Sequence, residues 1–262
     1  MTSESMIDEM WAATTGPTDG PHLVLVHGSL DRSAGLLKLS RRLDDRFRVT
    51  RYDRRGYGRS APHPGPFGID HQVADLIDVI ESVEPAARPR VVIGHSYGGN
   101  VALALAARRP ELVDAVVTYE TPLSWRPWWP GTSAGADAVA LRADPCEAAE
   151  RFMRRLIGDE RWERLPPSTR KSRRAEGPAM VGELIDLRAS TPWEPGLIGV
   201  PVMAMYGGKG QDHHRLGAAA IAAEVHGAEL VSLDDASHPG PNTHPDETAA
   251  EIERFIRSRL AT

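Results

Sequence analysis

Six short apolar runs recur along the chain, and none of them alternates strictly between apolar and polar residues. They are HLVLVHG (22–28), RVTRYD (48–53), RVVIGHS (90–96), VDAVVTYE (113–120), VPVMAMYG (200–207) and AELVSLDD (228–235). Runs rich in Val, Leu and Ile without alternation mark strands that are covered on both faces. Between them lie patterns of helical period. In IDHQVADLIDVIESV (69–83), Val73, Leu76, Ile77 and Ile80 share one stripe. NVALALAARRP (100–110), HHRLGAAAIAAEVHG (213–227) and HPDETAAEIERFIRSRL (244–260) continue the series, with Pro245 suited to a first helical turn. Strand alternating with helix predicts an α/β fold, a mostly parallel and doubly wound sheet with helices on both faces.

From Pro122 to Gly199 the rhythm stops. PLSWRPWWPG (122–131) leads into helical patterns at CEAAERFMRRLIG (146–158) and PAMVGELIDLRAS (178–190). Residues 1–121 and 200–262 are therefore read as the core, and 122–199 as a helical cap inserted after the strand over 113–120. Ligands in open α/β sheets bind beyond the carboxyl ends of the strands, so an insertion there is placed to act as a lid. A helical decoration with no part in binding is the plainer alternative. Trp125, Trp128 and Trp129 are expected to form an apolar wall for substrate or the packing seam between cap and core.

The 262 residues suffice for one large domain, or a domain with a sizeable insertion. A net charge of −5, with Arg scattered among Glu and Asp, gives no sign of a nucleic-acid footprint. Cys146 is the single cysteine, so no internal disulfide forms, and its plain reading is a small, partly buried residue. The N-terminal stretch carries acids and no long apolar segment, and no run reaches the length of a bilayer span. A soluble cytoplasmic protein with a small-molecule substrate is expected, with no nucleic-acid or membrane partner; a homo-oligomer is left open.

The run over 90–96 ends in GHSYGG, which places Ser96 between glycines after a strand and before a helix. That is the setting a G-x-S-x-G nucleophile elbow requires. A sharp turn lifts the hydroxyl over the sheet, and the following helix N-terminus brings free N–H groups and a positive dipole end beside it. A turn built from glycines alone is the structural alternative. A serine needs a base, and the base needs a group to orient it. The loop after the last strand, LDDASHPGPN (233–242), supplies His238 as the base. His244 is its rival, read as a residue near the cap of the final helix.

His27-Gly28 closing a strand, DRRGYGRS (53–60) after the next, GHSYGG (94–99) and the late His238 together resemble the α/β-hydrolase superfamily. The resemblance spans nearly the whole chain outside the insertion. It implies that the N–H groups of Ser29 and Tyr97 hold the oxyanion, and that His27 holds its loop. The superfamily usually carries its acid as a Gly-x-x-Asp stretch after the penultimate strand. Here YGGKGQDHHRL (206–216) has Gly210 in that place and Asp212 late. Glu120, at the end of the strand over 113–120, matches a subset similar to the zearalenone lactonases. A carboxylate at a buried strand end needs a partner, and His238 or Arg126 could supply it. Glu120 is the expected acid and Asp212 the alternative.

Asp212-His213-His214 has the look of a metal cluster but reads as a polar helix start capped by Asp212, with adjacent side chains diverging. DRRGYGRS reads as a structural loop beside the pocket. Neither a metal nor an organic cofactor is expected. The resemblance implies a serine hydrolase that cleaves a carboxylic ester or lactone with a largely apolar body through an acyl-enzyme on Ser96. Carbon–carbon bond hydrolysis or perhydrolysis on the same residues, or a non-catalytic small-molecule receptor, are the alternatives. A serine at the elbow argues against the aspartate-dependent dehalogenase and epoxide hydrolase branches.

Overall fold

All six apolar runs become strands, and all but the one over 200–207 end a residue or more before the pattern did, so Ser96 and Glu120 fall just beyond the hydrogen-bonded ladder. The computed structural model describes residues 2–7, 10–83 and 88–260. The strands are β1 (Ser3–Ile7), β2 (Met10–Thr15), β3 (His22–Val26), β4 (Arg48–Tyr52), β5 (Arg90–His95), β6 (Ala115–Tyr119), β7 (Val202–Gly207) and β8 (Glu229–Leu233). They form one sheet in the order β1-β2-β4-β3-β5-β6-β7-β8. β2 runs antiparallel to both its neighbours, and every pairing from β4 to β8 is parallel.

The helices are α1 (Leu37–Leu43), α2 (Ile69–Glu81), α3 (Tyr97–Arg108), α4 (Ala134–Ala140), α5 (Pro145–Ile157), α6 (Asp159–Arg164), α7 (Pro167–Ala175), α8 (Gly177–Ala189), α9 (Asp212–Glu224), α10 (Gly240–Thr243) and α11 (Pro245–Leu260). Val73, Leu76 and Ile80 of α2 pack with α3 and α9 on one face of the sheet. Leu39 and Leu43 of α1 pack with Ile252 and Phe255 of α11 on the other. Two buried layers around one sheet explain the unbroken apolar runs of β3 to β7, because side chains pointing either way leave water. The outer strand β8 departs from the expectation, with exposed residues alternating along it and Leu230 46% exposed. Each such Val or Leu stabilises the fold by about 1.5–3 kcal/mol.

Between β6 and β7 the chain builds α4 to α8, which carry a cluster of their own: Ala148, Met153, Trp162, Met180 and Leu184. Leu30 and Tyr57, from loops at the strand ends of the core, complete it. The sequence pattern missed β1 and β2. β1 is an exposed edge strand of mixed polarity with no buried face to impose alternation. Among the described residues no helix is long and apolar enough to cross a membrane.

Candidate active site

Ser96 joins β5 to α3 with φ 53° and ψ −124°, a backbone conformation that L-residues rarely hold. Its N–H donates to the Tyr119 carbonyl at 2.8 Å, which ties the turn to β6. Gly98 is required where the turn passes β3, since a side chain there would strike the Val26 carbonyl. Tyr97 opens α3, so its N–H has no acceptor within the helix. Its wholly buried ring lies 4.8 Å from the Arg54 guanidinium.

Glu120 follows β6 with φ 47°, an uncommon backbone turn for a residue with a side chain. The carboxylate is fully buried. One oxygen accepts a hydrogen bond from the Gly207 N–H at 3.0 Å, and the other accepts from His238 Nδ1 at 2.7 Å. Gly210 lies against the same carboxylate, and a Cβ there would collide with it. The position where the superfamily usually places its acid thus has to be empty of side chain, because Glu120 fills the space from the neighbouring strand. The alternative partner, Arg126, is bound to Glu224 instead. Asp212 is exposed at the start of α9, with Arg215 at 3.5 Å. The helix cap is Gln211 rather than Asp212.

Two further histidines hold His238. The ring of His214 stacks on it at 4.6 Å with the planes 22° apart. His95 Nε2 donates to the His238 carbonyl at 2.8 Å. Burial lowers the His95 pKa to about 3, with the neighbouring His238 acting in the same direction. Burial likewise drives His214 well below its usual value. Both therefore stand as neutral rings beside His238. His95 occupies the variable position of G-x-S-x-G, and the motif gives it no weight; its adjacency to Ser96 was the one available signal. His213 and His214 do not diverge as expected, since their centroids are 4.3 Å apart and both line the cavity.

His27 is a loop anchor. Its Nε2 accepts from the Arg54 N–H at 2.9 Å, so Nδ1 carries the proton and donates to the Gly28 carbonyl at 2.8 Å. The Arg54 side chain donates to the carbonyls of His27 and Gly28, at 2.9 and 3.1 Å, and to Glu183 of α8 at 2.8 Å. The loop carrying Ser29 is thereby locked to the inserted segment. His244 bonds to Thr243 at 2.9 Å, before α11.

Ser96, Ser29 and His238 open into a cavity of about 310 Å³. This is near the lower end of the ~300–1,000 Å³ typical of small-molecule sites. Phe152, Leu156 and Leu184 form its apolar wall from the inserted segment. Of the three tryptophans expected there, only Trp129 lines it. Trp125 is instead spent on the seam, edge to face with Trp193 at 5.7 Å, and the Trp193 indole is anchored on Asn100. Trp128 is 43% exposed on the surface. Glu120, His214 and His238 have potential metal-ligating atoms within 4.8 Å of one another. An ion held by Glu120 and His238 Nδ1 would have to displace the proton between them, so it would compete with that hydrogen bond.

The alpha/beta hydrolase family pattern matches residues 23–251. The chain belongs to this family. It is 29% identical to a lipase, LipV, of Mycobacterium tuberculosis, over 97% of this chain and 99% of that one. It is 28% identical to a pimeloyl-[acyl-carrier protein] methyl ester esterase of Nitrosospira multiformis, over 91% and 95%. Other relatives match over only 24 to 38% of their own length. Among solved structures, an enol-lactonase of Burkholderia xenovorans superimposes with a TM-score of 0.76 at 23% identity, covering 97% of this chain and 99% of that one. These relatives do not single out the zearalenone-lactonase-like subset.

Proposed function

We propose that the protein is a serine hydrolase cleaving a carboxylic ester or lactone of a small molecule. The observation that carries the reading is the 2.7 Å bond from His238 Nδ1 to the buried Glu120 carboxylate, in the same cavity as the strained Ser96 elbow. With Nδ1 committed to Glu120, Nε2 of His238 is the atom left to accept the Ser96 proton. The Ser96 oxygen attacks the acyl carbon, and the N–H groups of Ser29 and Tyr97 stabilise the oxyanion. Two such donors are worth several kcal/mol, since loss of a single one costs about 3–4 kcal/mol. His238 then protonates the departing alkoxide, and a water activated by the same ring releases the acid. Relatives named lipase, esterase and enol-lactonase support this class of bond.

The test is intact-mass spectrometry after exposure to a fluorophosphonate. The wild type should gain a single adduct that Ser96→Ala lacks, and an ester and lactone panel would then rank substrates. A wild type that stays unmodified, or a Ser96→Ala variant that is modified equally, would remove Ser96 as the nucleophile. A largely apolar substrate suits only part of the cavity wall, because Arg155, Arg188, Lys209 and several hydroxyl side chains belong to it.

A further inference from the structure

The cavity wall contains Arg155, Arg188 and Lys209 and not one Asp or Glu. Two of the three cations are neutralised from outside it: Arg155 is paired with Asp137, and Lys209 with Asp235 at 2.7 Å. Arg188, on α8, has no carboxylate partner among the described residues. Its one protein hydrogen bond is to the Leu184 carbonyl of its own helix at 2.9 Å, and its guanidinium lies against the α4 backbone at Gly135. The group is half-buried, and burial lowers its pKa with no acid offsetting the effect. A desolvated guanidinium is costly unless it is paired, so a binding cavity that keeps one unpaired is built for an anion that arrives with the ligand. The planar fork of Arg matches the two oxygens of a carboxylate.

We infer that Arg188 is the anion-binding residue of the cavity, and that the substrate is an ester or lactone carrying a carboxylate. This rests on the reading of Ser96 as nucleophile for its chemistry, though not for the binding itself. The net positive wall would also raise the local concentration of anionic substrates, an effect that weakens with salt.

The experiment uses charge-matched pairs. Monomethyl glutarate is compared with its neutral terminal amide, which places the charge in the acyl half. O-acetylglycolate is compared with O-acetylglycolamide, which places it in the leaving half. In wild type, kcat/KM for the anionic member of one pair should exceed that for the amide by about ten- to a hundredfold, the range of a charge-assisted hydrogen bond. Arg188→Met should bring that ratio to about one, and Arg188→Lys should keep part of it. Arg142→Gln removes an equal charge from an exposed position and should leave the ratio alone. A ratio within one variant is independent of how much of the preparation is folded. Calorimetry of glutarate binding to Ser96→Ala scores the same site without turnover, and Arg188→Met in that background should abolish the binding. Wild type with no preference in either pair and no glutarate binding would overturn the anion site, whatever the fluorophosphonate shows. Binding that survives Arg188→Met would do the same. Failure of the fluorophosphonate reaction with glutarate still bound would instead sink the serine mechanism alone.

Discussion

Glu120 and Gly210 are a reciprocal pair: the carboxylate stands where a side chain at 210 would collide with it. The exchange leaves the carboxylate just past β6, fully buried and with two hydrogen bonds, holding His238 in the tautomer that leaves Nε2 free. Glu120→Gln keeps the volume but offers an N–H where an acceptor is needed, so His238 must flip its tautomer or lose the bond. Its turnover should fall by about 10³–10⁴-fold, as for the amide replacement of a triad acid elsewhere, while Asp212→Asn should match wild type. Steady-state kcat on any ester the protein turns over is the measurement, and equal activity in Glu120→Gln would move the acid elsewhere. Glu120 stood out in the sequence as a carboxylate just past a strand end, and His238 by its place in the loop after the last strand. His95 and His214 were not, since what they do depends on rings meeting across β5, α9 and the loop after β8. The three tryptophans looked alike in PLSWRPWWPG, yet a turn aims each at a different environment.

At the scale of elements, Arg54 and Glu183 join the DRRGYGRS loop to α8 with both side chains fully buried. Tyr57 also donates to Glu183 at 2.7 Å, and the Gly58 N–H donates to Glu176 at the start of α8 at 2.9 Å. α8 is therefore fixed to the core, whereas α7 buries none of its residues. Breaking the ion pair by Glu183→Met strands a buried guanidinium and should cost about 3–5 kcal/mol. Arg54→Met with Glu183→Met removes both charges and should recover most of that stability. It should not recover kcat, because the carbonyls of His27 and Gly28 lose the donor that holds the Ser29 loop. Urea unfolding and kcat, measured on the single and double variants, separate the two roles. A double variant with both stability and kcat restored would reduce the bridge to a strut. From sequence, DRRGYGRS was visible as a loop, but its partner Glu183 looked like any acid in a helical pattern.

Across the whole molecule, the alternation of apolar runs and helical patterns was enough to read the parallel sheet, since burial on both faces writes itself into composition. The edge strand β1 escaped because it shields little apolar surface, and β2, though buried, escaped because its Ala and Thr residues carry no Val, Leu or Ile run. Burial also determines how the fold responds to acid. His22 bonds to Thr50 inside the sheet, and its pKa is lowered to about 3 by burial, then by Arg90 and Arg48. His95 is lowered to about 3 by burial and by His238. An unfolded histidine titrates near ~6.5. Between that value and about 3 the unfolded chain therefore binds protons that the folded chain refuses, so stability falls as pH falls through this window. Each such histidine contributes about 1.4 kcal/mol per pH unit once below the upper limit. Carboxylates such as Glu163, held below the usual range by a hydrogen bond from Arg154, titrate lower, and Asp31, raised by burial, acts in the opposite sense, so the histidines dominate the interval from about pH 6 to 5. Burial holds His27 and His214 down in the same way, so urea unfolding across that interval should show ΔG dropping by about 4–6 kcal/mol per pH unit, a large share of the ~5–15 kcal/mol typical of a domain. His22→Gln should make the slope shallower by about one histidine's share, ~1.4 kcal/mol per unit. A wild-type slope near zero, or one indifferent to His22→Gln, would mean that these rings take up protons without unfolding.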